Sequence, residues 1–114
     1  MATIVGTAMS GSAFAENAVM YSTGLGAKAE FVANGDHLYV TDQIADGHSA
    51  IGIIELGDQY YYWNRNGKGT TRHVNLDLPE NRTIALGAVV GEWSGTPTGG
   101  IIWSTIGTTT ISTS

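Results

Sequence analysis

Three groups of residues in this chain have types and spacings that could do chemistry: histidines, spaced aspartates and a run of aromatics. His37, His48 and His73 are the only histidines. Imidazole serves as a base or a metal ligand near neutral pH. Metal-binding histidines usually lie close in sequence, at spacings such as i, i+2 or i, i+4, and none of the three does. Folding alone can bring them together; otherwise they are polar residues of turns and surfaces. Ser49 follows His48 but lacks the Gly-x-Ser-x-Gly turn that exposes a nucleophile between strand and helix. No catalytic residue is expected.

The aspartates Asp36, Asp42 and Asp46 are spaced along one segment. Asp42 and Asp46 flank Gln43-Ile44-Ala45, and Asp46-Gly47 reads as a turn. Two carboxylates and nearby carbonyls could hold Ca2+, which takes about six to eight oxygen ligands. The dense Asp-x-Asp-x-Asp-Gly spacing of an EF-hand loop is missing, and aspartates in turns usually bond their own backbone. The expectation is therefore no metal and no cofactor, with calcium on Asp42 and Asp46 as the alternative.

Tyr60-Tyr61-Tyr62-Trp63 is the least ordinary stretch, and Asn64, Arg65 and Asn66 follow it directly. In a strand, Tyr60 and Tyr62 fall on one face and Tyr61 and Trp63 on the other. If only one face looks into a core, one aromatic pair is left outside beside the amides and the guanidinium. A flat apolar ring with directed hydrogen bonds beside it suits a sugar or a subunit interface. Residues 60–66 are the candidate ligand-binding site. The opposing expectation is that loops or a neighbouring edge cover the outer pair.

These groups need a scaffold, and the remaining sequence describes a β-protein. The chain has 114 residues, 42% of them apolar and only 13% charged. That length fits one domain able to bury roughly two-thirds of its unfolded surface. Turn signals recur at Asn34-Gly35, Asp46-Gly47, Gly57-Asp58, Asn66-Gly67, Pro79-Glu80-Asn81 and Thr96-Pro97. Between them lie runs rich in Val, Ile, Tyr and Thr, the pattern of a sandwich or barrel. Strands are expected at 2–8, 13–22, 27–32, 36–41, 49–56, 59–64, 71–76, 82–90 and 100–106. Residues 12–20 could instead form a helical turn, and 108–114 an edge strand or a frayed tail. The expected fold is one antiparallel β-sandwich, jelly-roll-like or Greek key, of about eight or nine short strands. Its core draws on Phe31, Leu38, Val40, Ile51, Ile53, Val74, Leu76, Ile84, Leu86 and Ile102.

Net charge is −5, and the five basic residues are scattered, which argues against a nucleic-acid partner. Nothing approaches the ~20 apolar residues of a membrane-spanning helix. There is no cysteine, so neither a disulfide framework nor a thiolate zinc site can form. The first ten residues lack a basic segment followed by a long apolar stretch. That leaves a cytoplasmic protein or the mature part of a secreted one, and the secreted reading is preferred. Asn81-Arg82-Thr83 matches the N-glycosylation triplet, which matters only in a eukaryotic secretory pathway.

Over residues 26–90 the chain resembles a group of small β-proteins, mostly secreted, of actinobacteria such as streptomycetes. The segments that carry the resemblance are Gly26-Ala27-Lys28-Ala29-Glu30-Phe31, Asn34-Gly35-Asp36, Val40-Thr41-Asp42, Ala45-Asp46-Gly47-His48-Ser49-Ala50, Asn66-Gly67-Lys68-Gly69-Thr70 and Leu78-Pro79-Glu80-Asn81. Members of that group often carry a cysteine pair and a signal peptide, and this sequence shows neither. Asn81 stands where glycine is usual, although Asn also tolerates a left-handed backbone. The resemblance implies a secreted β-sandwich and supplies no catalytic residue.

Three functions follow as expectations. The first is a non-enzymatic binding module for a glycan or small molecule at residues 60–66. The second is a self-assembling homo-oligomer, such as a coat subunit, consistent with low charge and surplus apolar β-surface. The third is a small β-barrel enzyme using His48 or His73 with Asp46 or Glu92.

Overall fold

Period-two alternation sets the first elements, because alternate side chains of a strand point to opposite faces. In the computed structural model, which describes residues 17–113, β1 (Ala18–Tyr21), β2 (Ala27–Val32) and β3 (His37–Asp42) form an antiparallel meander. Ala27, Ala29 and Phe31 are fully buried, whereas Lys28, Glu30 and Val32 on the other face are half-exposed. The strand expected at 2–8, and the start of the one expected at 13–22, lie outside the described residues.

The chain then crosses to a second sheet for β4 (Ser49–Leu56) and β5 (Asp58–Asn64), and returns for β6 (Thr71–Asn75). It crosses again for β7 (Thr83–Gly91) and β8 (Ile101–Ser112). The first sheet has the order β1-β2-β3-β6 and the second β5-β4-β7-β8, with every pairing antiparallel. After β5 and β6, β7 comes back to lie beside β4. That is a Greek-key connection spread over two sheets. Of the tail expected at 108–114 as an edge strand or a frayed end, residues 108–112 continue β8, which forms an edge of the second sheet.

One core lies between the sheets. Phe31, Leu38 and Val40 of the first sheet share it with Ala50, Ile54, Ile84 and Leu86 of the second. Val74, Leu76 and Ile102 pack at its margin and are partly buried. Gly52 shows how closely the sheets approach: a Cβ there would lie 2.7 Å from Val40 Cγ2 and 3.4 Å from Leu38 Cδ2. Ile51 and Ile53, expected in this core, point the other way and belong to a second apolar cluster with Trp63 and Val89. The two-faced burial of β4 and β7 is what shapes the candidate site.

Candidate functional site

β5 forms the edge of the second sheet beside β4, and its register divides the aromatic run. Tyr60, Tyr62 and Asn64 lie opposite Ile54, Gly52 and Ala50, on the side of the main core. Tyr61 and Trp63 lie opposite Ile53 and Ile51, on the outer face. Tyr62 packs against the main core, and burial raises its phenol above the ordinary tyrosine range, with Tyr60 adding to the rise and Arg72 opposing it. Tyr60 remains 47% exposed.

Neither aromatic pair is simply left in water. The segment 92–100 folds back over the outer face, and the Trp63 Nε1–H donates to the Pro97 carbonyl at 2.8 Å. Trp63 is 6% exposed as a result. Trp93 meets Trp63 edge-to-face, with centroids 5.2 Å apart at 82°. The Arg65 guanidinium carbon lies 4.6 Å from the Trp93 ring centre, a cation–π geometry.

Trp103 completes the surface through an irregularity in β8. Ala88 faces Gly107 and Val90 faces Ile102, so two steps along β7 are met by five along β8. The extra residues bulge from the ladder. Thr105 holds them: its hydroxyl accepts from the Val90 amide at 3.2 Å and donates to the Ile102 carbonyl at 2.8 Å. Its carbonyl accepts from the Thr23 amide at 2.7 Å. Trp103 stands in this bulge, 47% exposed and edge-on to Tyr61 at 6.2 Å. The Tyr61 hydroxyl donates to Gln59 Oε1.

Asn64 has an internal role. It is 1% exposed, and its amide nitrogen donates to the Val40 and Thr70 carbonyls at 3.0 and 2.8 Å. Its oxygen accepts from the Asn66 amide and the Thr70 hydroxyl. This side chain ties the β5–β6 loop to β3 and is not free to orient a ligand, contrary to the expectation for residues 60–66. Arg65 and Asn66 remain exposed.

The same loop borders a cleft of about 360 Å3 whose lining includes Asp42, Asp46, His48, Arg65 and Lys68. Asp46 Oδ1 accepts from the His48 amide at 2.9 Å, and Gly47 takes φ 77°, so this aspartate holds its own turn as expected. Asp42 is 3% exposed, and its Oδ1 has no hydrogen-bond partner among the described residues. Desolvation raises its carboxyl above the ordinary value; Asp46 raises it further, and the Ile44 amide opposes both. A calcium ion on Asp42 and Asp46 would share the cleft with Arg65 and Lys68. Among the described residues no three His, Cys, Asp or Glu side chains form a metal-binding group.

The histidines separate into two places. His48 Nδ1 lies 3.3 Å from Glu92 Oε2 at the cleft. His37 and His73 meet on the outer face of the first sheet, 2.8 Å between Nδ1 and Nε2. Sequence reasoning missed Trp93 and Trp103, which lie far from the aromatic run along the chain. A signal was available in the unbroken apolar runs Ala50-Ile51-Gly52-Ile53-Ile54 and Ala88-Val89-Val90. Such runs indicate strands buried on both faces, and hence something covering the outer one. No family model matches the chain, and no curated protein or solved structure does either.

Proposed function

We propose that the chain is a non-enzymatic binding module that takes a glycan on the outer face of its second sheet. Tyr61, Trp93 and Trp103 would supply the apolar platform, and Gln59, Arg65 and Asn66 the hydrogen bonds. The observation that carries the reading is Trp103, held out on a pinned bulge and half-exposed beside Tyr61. Contiguous exposed apolar surface rimmed by polar groups marks binding sites, and Trp103 meets Tyr61 to form such a surface beside Gln59. The aromatic surface ends at Arg65, which also borders the cleft, so a hydroxyl-rich ligand could meet rings and charged groups together.

The test is a glycan array followed by tryptophan-fluorescence titration of any hit. Trp103→Ala should abolish binding while leaving the melting temperature within about 2 °C of the parent, as expected of an exposed position. An array without a hit, or a Trp103→Ala variant that binds normally, overturns the reading.

Self-association is the second reading, and a different surface favours it. Val19 and Tyr21 on edge strand β1 are 44% and 40% exposed, and Leu25 in the following turn is 57% exposed. Among the described residues no strand pairs with the outer edge of β1, and an edge with apolar side chains suits a second copy of the chain. Light scattering after size exclusion separates the two: a stable oligomer broken by Tyr21→Glu supports assembly, and a monomer at all concentrations refutes it.

A further inference from the structure

The outer face of the first sheet carries a histidine pair remote from the aromatic surface. Its origin is register. β3 and β6 run antiparallel with His37 opposite Asn75 and Tyr39 opposite His73, which makes His37 and His73 diagonal neighbours on one face. The rings of Tyr39 and His73 stack at 4.7 Å and 14°, fixing the His73 imidazole. The His37 ring lies over Gly35, where a Cβ would come within 2.6 Å of Nε2. A residue without a side chain leaves the space this ring occupies. The two imidazoles then stand with centroids 4.9 Å apart, and their facing nitrogens are 2.8 Å apart.

We propose that His37 Nδ1 and His73 Nε2 form a two-histidine chelate for a late first-row divalent ion, Cu2+ in preference to Ni2+ or Zn2+. Their place as diagonal cross-strand neighbours carries the assignment, and the order of divalent-ion affinities, which peaks at Cu2+, sets the preference. The 2.8 Å separation of the metal-free pair is that of a hydrogen bond, and both rings must turn for their lone pairs to meet at one ion. In the metal-free pair a single proton lies between the nitrogens. On binding, it moves to the far nitrogen of its own ring, so both rings stay neutral and both facing lone pairs reach the metal. Among the described residues no third His, Cys, Asp or Glu joins the pair, so water fills the remaining positions. His73 is exposed, which gives the ion and its waters access. Protons compete with metal for imidazole, so binding weakens in acid.

The experiment titrates CuCl2 into the protein at neutral pH, followed by calorimetry and by the histidine ring signals in NMR spectra. One ion per chain is expected, and substoichiometric Cu2+ should broaden the His37 and His73 signals before those of His48. His37→Gln and His73→Gln should each weaken binding about tenfold or more, a loss of the size that even outer-shell changes produce at metal sites. His48→Gln should bind like the parent, and far-UV spectra should show that all three variants fold. The NMR readout needs no variant, so it decides the matter even if a substitution perturbs the sheet. Copper held at the amino terminus or at His48 would broaden other signals and survive both substitutions, and that result overturns the proposal.

Discussion

The two outer faces of this sandwich differ in kind. On the first sheet, β2 and β3 alternate strictly: Ala27, Ala29, Phe31, Leu38 and Val40 are buried, while Lys28, Glu30, His37, Tyr39 and Thr41 are half-exposed. On the second sheet, β4 and β7 are buried on both faces, with Ile51 and Val89 fully inaccessible on the outside. A strand with one solvated face needs polar residues at every other position, and a strand covered twice does not. The cover costs extra chain, namely the segment 92–100 and the bulge of β8. In return, part of the aromatic surface is held rigid and part is left open. The bare face carries polar pairs, and the covered face carries rings.

The largest expected effect tests whether the cover is structural. Trp63→Ala should destabilise by about 3–5 kcal/mol in urea unfolding, as expected for removing a large buried aromatic. Tyr39→Ala on the bare face should cost less than about 1 kcal/mol. Equal costs would erase the distinction between the faces.

A smaller effect is expected where the two sheets are joined at the cleft. Asn64→Ala removes the donor shared by the Val40 and Thr70 carbonyls and the acceptor of the Asn66 amide, while the Thr70 carbonyl keeps the Asp42 amide, and buried polar groups that lose a partner cost about 1–3 kcal/mol. The loss should appear in the unfolding midpoint with little change in slope. A neutral result would mean that water replaces the amide and that the loop is not held by this residue.

The smallest effect is a pH dependence at Asp42. Its carboxyl is raised in the folded state, so in the carboxylate range the native protein holds the proton more tightly than the unfolded chain. Stability from this group is therefore present below the unfolded pKa and falls as pH rises through the folded one. Asp42→Asn, which keeps an acceptor but cannot ionise, should raise the melting temperature slightly at neutral pH. The gain should fade as pH falls below about 4, near the ordinary aspartate value. A gain independent of pH would place its cause outside this titration.

Much of the scaffold is legible in the residues themselves. Alternation in 27–32 and in Val74, Leu76 and Leu78, together with the turn pairs at Asn34-Gly35 and Asp46-Gly47, is local, because strand and turn preferences act over a few neighbouring residues. Asn81 does adopt the left-handed backbone that its side chain permits, with φ 57°. The division of Tyr60, Tyr61, Tyr62 and Trp63 onto two faces also follows from local geometry. Which partners those faces meet does not. Trp93 and Trp103 reach Tyr61 and Trp63 only after β7 returns beside β4 and β8 bulges, and His73 reaches His37 only through the pairing of β6 with β3. Contacts of that separation depend on register and on which loop crosses which sheet, and those are decided by packing the whole chain around two apolar clusters. The same packing buries Asn64 and leaves Arg65 beside it exposed, though they are adjacent polar residues in one sequence.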